Sequence, residues 1–331
     1  MSASETIAWS VRFRRERQDA WTELEKLVQR AEQYGLGGLD PQQLARLPVL
    51  YRATASALGV ARAALLDQGL RDYLEALTAR AYLVVYAPKR PLGRVLWQFL
   101  AGEFPAAVRA IRWQVAVSAG VMLLGGAIAF ALVQRDLDDY YLFVDAGMAA
   151  GRVPTASVEQ LRETLFGEPD GGLLTFATML FTHNATVGIL IYGLGFLFGV
   201  PVLLLLLYNG VLIGAMSALF HARGLAVEWW SWILPHGVTE LLALVLCGAA
   251  GLHIGQRVVF PGRLTRLHAL ARAGRSMGAV VGGSVGMLLL AGLIEGVFRQ
   301  VVQSVPVRYT LAATWAGLWL VYFTLAGRGK R

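Results

Sequence analysis

The chain has 331 residues, 56% of them hydrophobic and 16% charged, with a mean hydropathy of +0.52; soluble domains run at about 45–50% apolar and about 25% charged, which excludes an ordinary soluble enzyme and points to a bilayer. A single cysteine, Cys247, excludes an intrachain disulfide and the usual Cys/His zinc patterns. The net charge of +8 would suit nucleic acid only as one basic patch; the basic residues instead flank apolar runs, as the positive-inside rule requires, so no nucleic-acid partner is expected.

The first twenty residues carry Arg12, Arg14, Arg15 and Arg17 but no apolar run. That is not a signal peptide, and it predicts a cytoplasmic amino terminus. Residues 1–112 hold 16 Lys+Arg and 11 Asp+Glu, with apolar residues at helical intervals, and predict a cytoplasmic helical domain. One helix presents Trp21, Leu24, Leu27, Val28 and Ala31 on a single face and is ended by Gly35, Gly37 and Gly38. Asp40, Pro41 and Gln43 then supply an N-cap, a first-turn proline and a capping-box partner. Leu58, Ala61 and Leu65 extend that helix past Pro48, and Leu70, Tyr73, Leu74, Leu77, Ala81 and Val84 form a further stripe before Pro88. From Lys89 to Gly102, Lys89, Arg90 and Arg94 alternate with Leu92, Val95, Leu96, Trp97, Phe99 and Leu100. This suits either the membrane interface or a helix packed on the cytoplasmic domain. Phe104 and Pro105 are expected to break the run and turn the chain into the membrane.

Six spans are predicted, at 113–133, 173–196, 201–220, 229–255, 277–298 and 309–326, each near the roughly 20 residues that cross about 30 Å. The fold class expected is therefore all-α: a polytopic six-helix membrane domain over 113–331 behind the N-terminal domain of 1–112. The stretch from Gln256 to Ser276 carries Arg257, Arg263, Arg266, Arg272 and Arg275 and no acid, and the tail ends Arg328, Lys330, Arg331; both read as cytoplasmic. The loop from Gln134 to Gly172 holds eight acids against three arginines and reads as external. Both termini then lie in the cytoplasm. Glycines four apart recur, as in Gly195 and Gly199, Gly210 and Gly214, Gly251 and Gly255, and Gly278, Gly282 and Gly286; such spacing lets helix backbones approach closely and allows a homo-oligomer.

Intramembrane charge carries the sharpest functional signal, because a charged side chain at mid-bilayer costs at least about 2.5–3.5 kcal/mol. The fourth span has His236 and Glu240 one turn apart; the fifth has Glu295 four residues before Arg299. At 1.5 Å per residue, Glu240 falls about 7 Å and Glu295 about 5 Å below the outer surface, while Asn184 and Asn209 each fall about 16 Å in. Two polar layers are thus predicted. The plain alternative is that Glu295 pairs with Arg299 and His236 with Glu240 to lock helices, with Asn184 and Asn209 as interhelical hydrogen-bonding glue. His183 neighbours Asn184, and Trp229, Trp230 and Trp232 read as an aromatic belt. One histidine and two carboxylates without HExxH are thin for zinc, and nothing activates Cys247, so no catalytic set, metal or cofactor is expected.

These residues resemble the stage II sporulation protein M family of bacterial integral membrane proteins. Trp21 with Leu24 and Glu25, Tyr51-Arg52, Ala61-Arg62, Tyr82 and Phe104-Pro105 look like its cytoplasmic region. Asn184, Gly195 and Gly199, Asn209-Gly210 with Gly214, Pro235-His236-Gly237 followed by Glu240, and Ile294-Glu295 follow the order of its membrane part; His183 stands where the family often has a first of two asparagines. The resemblance implies a multi-pass protein of the bacterial inner membrane, and its sporulation namesake is similar to a scaffold that helps assemble cell-wall-degrading enzymes. The leading expectation is a non-enzymatic assembly protein with envelope or cytoplasmic protein partners and the lipid bilayer around it. A transporter or channel lined by His236, Glu240, Glu295 and the asparagines, and an intramembrane metal-dependent hydrolase, stand as alternatives.

Overall fold

A computed structural model describes residues 3–64, 67–86, 92–167 and 173–328. Every regular element among them is helical. The chain divides into two compact units, Met1–Pro91 and Leu92–Arg331.

The first unit is three helices, α1 (Ala3–Tyr34), α2 (Pro41–Ala63) and α3 (Gln68–Tyr86). Trp21, Leu24, Val28 and Ala31 of α1 are buried against Leu47, Leu50 and Ala61 of α2 and Leu74, Leu77 and Ala81 of α3. Gly35 adopts φ 74°, a left-handed conformation that stops α1 at little steric cost. The capping box closes as the sequence predicts: the Gln43 N–H donates to Asp40 Oδ1 at 2.8 Å, and the Asp40 N–H donates to Gln43 Oε1 at 3.2 Å. Charge stays outside, where Arg80 meets Glu32 and Arg62 meets Glu75 across helices.

In the second unit, α4 (Leu92–Gln98) runs through a π-helical turn (Phe99–Glu103) into α5 (Phe104–Ala110). Phe104-Pro105 therefore does not break the chain. Pro105 sits in the first turn of α5, where its missing N–H costs nothing, and the break comes at Ile111 (φ −111°, ψ 27°), just before α6 (Arg112–Arg135). Phe104 packs on Gly283, Tyr322 and Phe323, so residues 92–112 go with the membrane unit. Lys89 and Arg90 lie outside the described residues.

The remaining long helices are α10 (Leu173–Gly193), α11 (Val200–Ala222), α12 (Ala226–Val259), α13 (Arg266–Val301) and α14 (Val305–Leu325). Among the described residues four helices, α6, α11, α12 and the Arg266–Gly296 part of α13, are long and apolar enough to cross a membrane. Helix α14, where the sixth span is expected, falls outside that group; in α10, where the second is expected, the side chains of 173–177 lie outside the described residues. The basic stretch 256–276 is not a loop: α12 continues to Val259 and α13 begins at Arg266, leaving six residues between them.

Helix α12 is central, packing on α6, α10, α11, α13 and α14. Glycine sets the closest approaches. A Cβ at Gly210 would strike the Met122 carbonyl, and one at Gly214 the backbone of Gly126, so α11 lies directly on α6. Likewise, Gly195 faces the backbone of Gly251, and Gly255 that of Gly199, which itself needs φ 78° to turn the chain into α11. The row at Gly278, Gly282 and Gly286 does no such work: nothing lies within 4 Å of a Cβ at Gly278 or Gly286.

The segment expected as an external loop is folded. Short helices α7 (Tyr140–Phe143), α8 (Ala146–Ala149) and α9 (Val158–Phe166) bury Tyr140, Val144, Leu161 and Leu165 with Leu219, Phe220 and Trp229. Ser157 and Gln160 form a capping box on α9. These side chains seal one end of α6, α11 and α12.

Candidate functional site

The site is built on α12 around Pro235, which has no N–H to return to the carbonyl one turn back and stands inside the helix. His236 follows it, 8% exposed, and Glu240 is one turn further on. From α13, Glu295 (5% exposed) brings Oε2 to 3.7 Å from His236 Nε2. One ligand atom from each of His236, Glu240 and Glu295 lies within 4.8 Å of the others. The Asn184 side chain of α10 lies beside the Glu240 carboxylate. Three helices thus meet at four polar side chains.

This geometry corrects the depths read from sequence. Helix α12 starts at Ala226 rather than near Pro235, so Glu240 lies about 21 Å along its helix rather than 7 Å below its end. Asn184 consequently joins the carboxylates, and there is one polar layer, not two. Asn209 stands apart: its Nδ2 donates to the Leu205 carbonyl in its own helix at 2.8 Å, so it is not interhelical glue. His183 is exposed on α10. The Arg299 side chain lies outside the described residues, and the partner found for Glu295 is His236.

Among the packing glycines, Gly195, Gly199, Gly210 and Gly214 make the backbone contacts given above, whereas a Cβ at Gly237 would meet only Ile233 of its own helix. Cys247 is buried.

The tryptophans are not a lipid-facing belt. Trp229 is 1% exposed, stacks on Phe220 (ring centroids 4.4 Å apart) and donates from Nε1 to Ser217 Oγ at 2.9 Å. Trp232 stacks on Trp229 at 5.6 Å and meets the His236 ring edge-on at 5.8 Å and 87°. Above it, the Arg152 guanidinium lies 5.1 Å from the Trp232 ring centre. An aromatic column therefore ties the folded segment 136–167 to the histidine.

Two residues escaped sequence reasoning. Arg308 opens α14 at 2% exposure, donating from Nε to the Val302 carbonyl at 2.8 Å and lying 5.0 Å from the Phe166 ring centre. It reads in sequence as an ordinary flanking charge one residue before an expected span. Thr239, between His236 and Glu240, accepts the Trp319 indole N–H at 2.9 Å and so fixes α14 to the same stretch of α12; a threonine in an apolar run carries no signal of that contact.

One imidazole nitrogen and two carboxylate oxygens are donors that zinc and similar divalent ions accept, with Asn184 placed to orient Glu240. The same groups also complete one another without an ion. An imidazole facing one carboxylate, with a second carboxyl and an amide beside it, gathers into one cluster groups that lipid would otherwise penalise heavily.

A family model described as Stage II sporulation protein M matches residues 118–298. A separate model, described as a domain of unknown function (DUF8413), matches residues 11–87, so Trp21, Tyr51 and Tyr82 fall in that region and not in the first match. No curated protein and no solved structure matches the chain.

Proposed function

The chain belongs to the stage II sporulation protein M family, and from that premise we propose that it is a non-enzymatic scaffold in the bacterial inner membrane, assembling envelope-related machinery through its N-terminal unit. Four helices long and apolar enough to cross a membrane, among the described residues, support its reading as a membrane protein. In the full reading α10 and α14 cross as well, giving six spans with both termini in the cytoplasm, in line with the arginine-rich stretch 256–276 and the acidic external segment.

One observation carries the scaffold reading. Tyr51, Tyr82 and Tyr86 form an aromatic cluster on the surface of the first unit, with ring centroids 5.3–6.4 Å apart, and Tyr82 and Tyr86 are 52% and 54% exposed. Beside them a depression of about 560 Å³ is lined by Leu58, Arg62 and Leu83. Tyrosine and arginine around a concave apolar floor are the composition of a protein-binding hot spot. In this reading His236, Glu240, Glu295 and Asn184 lock three helices so that the membrane unit holds still beneath its partners. The channel alternative needs Asn209 to extend the polar layer, and its bond to Leu205 gives no support for that.

The test is cross-linking in native membranes followed by mild solubilisation of the full chain. The same partners should return in independent preparations and fall by more than about tenfold with Tyr82→Ala and Tyr86→Ala combined, at unchanged membrane level. Isolation alone, together with full fitness of a deletion strain, overturns the proposal.

A further inference from the structure

Helix α12 ends and α13 begins around a pocket of about 280 Å³. His253 and Arg257, one turn apart on α12, face Arg272 and Ser276, one turn apart on α13, across a floor of Ala269 and Ala273. We propose that this pocket binds a phosphate group, carried by an anionic lipid headgroup or by a soluble phosphate. The inference is independent of the scaffold reading.

Charge is the first argument. Among the described residues neither Arg257 nor Arg272 meets a carboxylate. The stretch 256–276 supplies five arginines and no acid to compensate them. Both guanidiniums are exposed, so a ligand can reach them from outside. Arginine stays charged at any physiological pH and presents paired N–H donors that match two oxygens of one phosphate.

Polar bookkeeping gives a second, independent argument. His253 Nδ1 is buried with no hydrogen-bond partner among the described residues. Native structures rarely leave such an atom unpaired, because burial removes the water it would otherwise bind. His253 lines the pocket, so a turn of its ring would bring Nδ1 to a ligand oxygen there. Ser276 is already committed, donating from Oγ to the Ala273 carbonyl at 2.8 Å, so the ligand's donors would be the two guanidiniums and the imidazole.

Position identifies phosphate among anions. Helices α12 and α13 are both among the four that are long and apolar enough to cross a membrane, and the pocket lies where they end, the level at which headgroup phosphates collect and basic pockets between helices bind them.

Full-length protein in phosphate-free detergent is titrated with inorganic phosphate by calorimetry. In a parallel arm, protein from nanodiscs of mixed phosphatidylglycerol and phosphatidylcholine is examined for retained lipid by native mass spectrometry. One-site phosphate binding, weakened about tenfold by Arg257→Gln or Arg272→Gln, assigns a soluble ligand. Selective retention of phosphatidylglycerol, lost in the same variants, assigns the headgroup. Where the glutamine variants fail to fold, Arg257→Lys and added salt on the wild type stand in, each expected to weaken binding. No binding in either arm, equal binding by the variants, or salt-independent binding overturns the proposal.

Discussion

In the first unit Arg80 meets Glu32 on a surface, 42% and 40% exposed, over a core of Leu24, Leu74 and Ala81. In the second, His236 meets Glu295 with side chains 10% and 6% exposed, while Leu123, Leu204 and Leu320 point outward at 72%, 61% and 67% exposure. The same pairing chemistry is turned inside out because the solvent is different. Water drives Leu74 and its neighbours together, whereas lipid is as apolar as leucine and offers no such drive, so the second unit relies on close backbone contact and interhelical polar bonds.

The largest expected effect tests the backbone contact. Gly210→Leu puts a side chain into the Met122 carbonyl of α6, an atom held by its helix and unable to yield. We expect loss of the monodisperse peak in size-exclusion chromatography of the solubilised protein. Gly59→Ala in α2 of the first unit, where nothing lies within 4 Å of a Cβ, should leave folding intact. If Gly210→Leu folds normally, glycine does not set the α6–α11 approach and the contrast between the units breaks.

Next comes the buried pair. His236→Ala removes the partner that Glu295 meets at 3.7 Å, and breaking a buried pair costs about 3–5 kcal/mol. A marked fall in thermal midpoint of the full chain is the readout. If the four groups lock helices by pairing with one another, a strong chelator should leave the wild-type midpoint unchanged. A drop on chelation instead makes the cluster a metal site.

Most of the first unit was legible in the sequence because water imposes a period. The stripe from Trp21 to Ala31, the Asp40 capping box and the Leu70–Val84 stripe all follow from amphipathic spacing and local hydrogen bonding. Inside the membrane unit that period vanishes, since helices there are apolar on every side. Charge still marked His236, Glu240 and Glu295, but depth counted from Pro235 misplaced them relative to Asn184, because the helix begins nine residues earlier. Trp229 reads as interfacial for a related reason: a tryptophan near a span end looks so until the fold of 136–167 covers it. That cover rests on Tyr140, Leu161 and Leu165, whose partners are far away in sequence.

Tyr140 gives a pH test of that cover. It is buried in α7, its hydroxyl donates to the Arg152 carbonyl at 2.5 Å, and burial raises its phenol from the ordinary 10.0 to about 12. The folded protein keeps this proton to a higher pH than the unfolded chain. Its contribution is therefore complete below about pH 10 and is lost as pH rises through about 12. Thermal melts across that window should fall with pH in the wild type and less steeply in Tyr140→Phe; equal slopes would show that this phenol does not hold the cover in place.

The smallest expected effect returns to Arg80. Its Nε and terminal nitrogen donate to the two Glu32 oxygens at 3.1 and 2.7 Å, a better geometry than the 3.7 Å between His236 and Glu295. Geometry alone would rank it the stronger pair. Water reverses the order, because exposed ions keep most of their hydration and screen one another, leaving such pairs about 0–1 kcal/mol. A double-mutant cycle of Arg80→Gln and Glu32→Gln, read by denaturant unfolding of the full chain, should give a coupling in that range that shrinks with added salt. A coupling as large as that of the buried pair would mean that surroundings do not decide what an ion pair is worth in this protein, and the contrast between its two units would rest on the glycines alone.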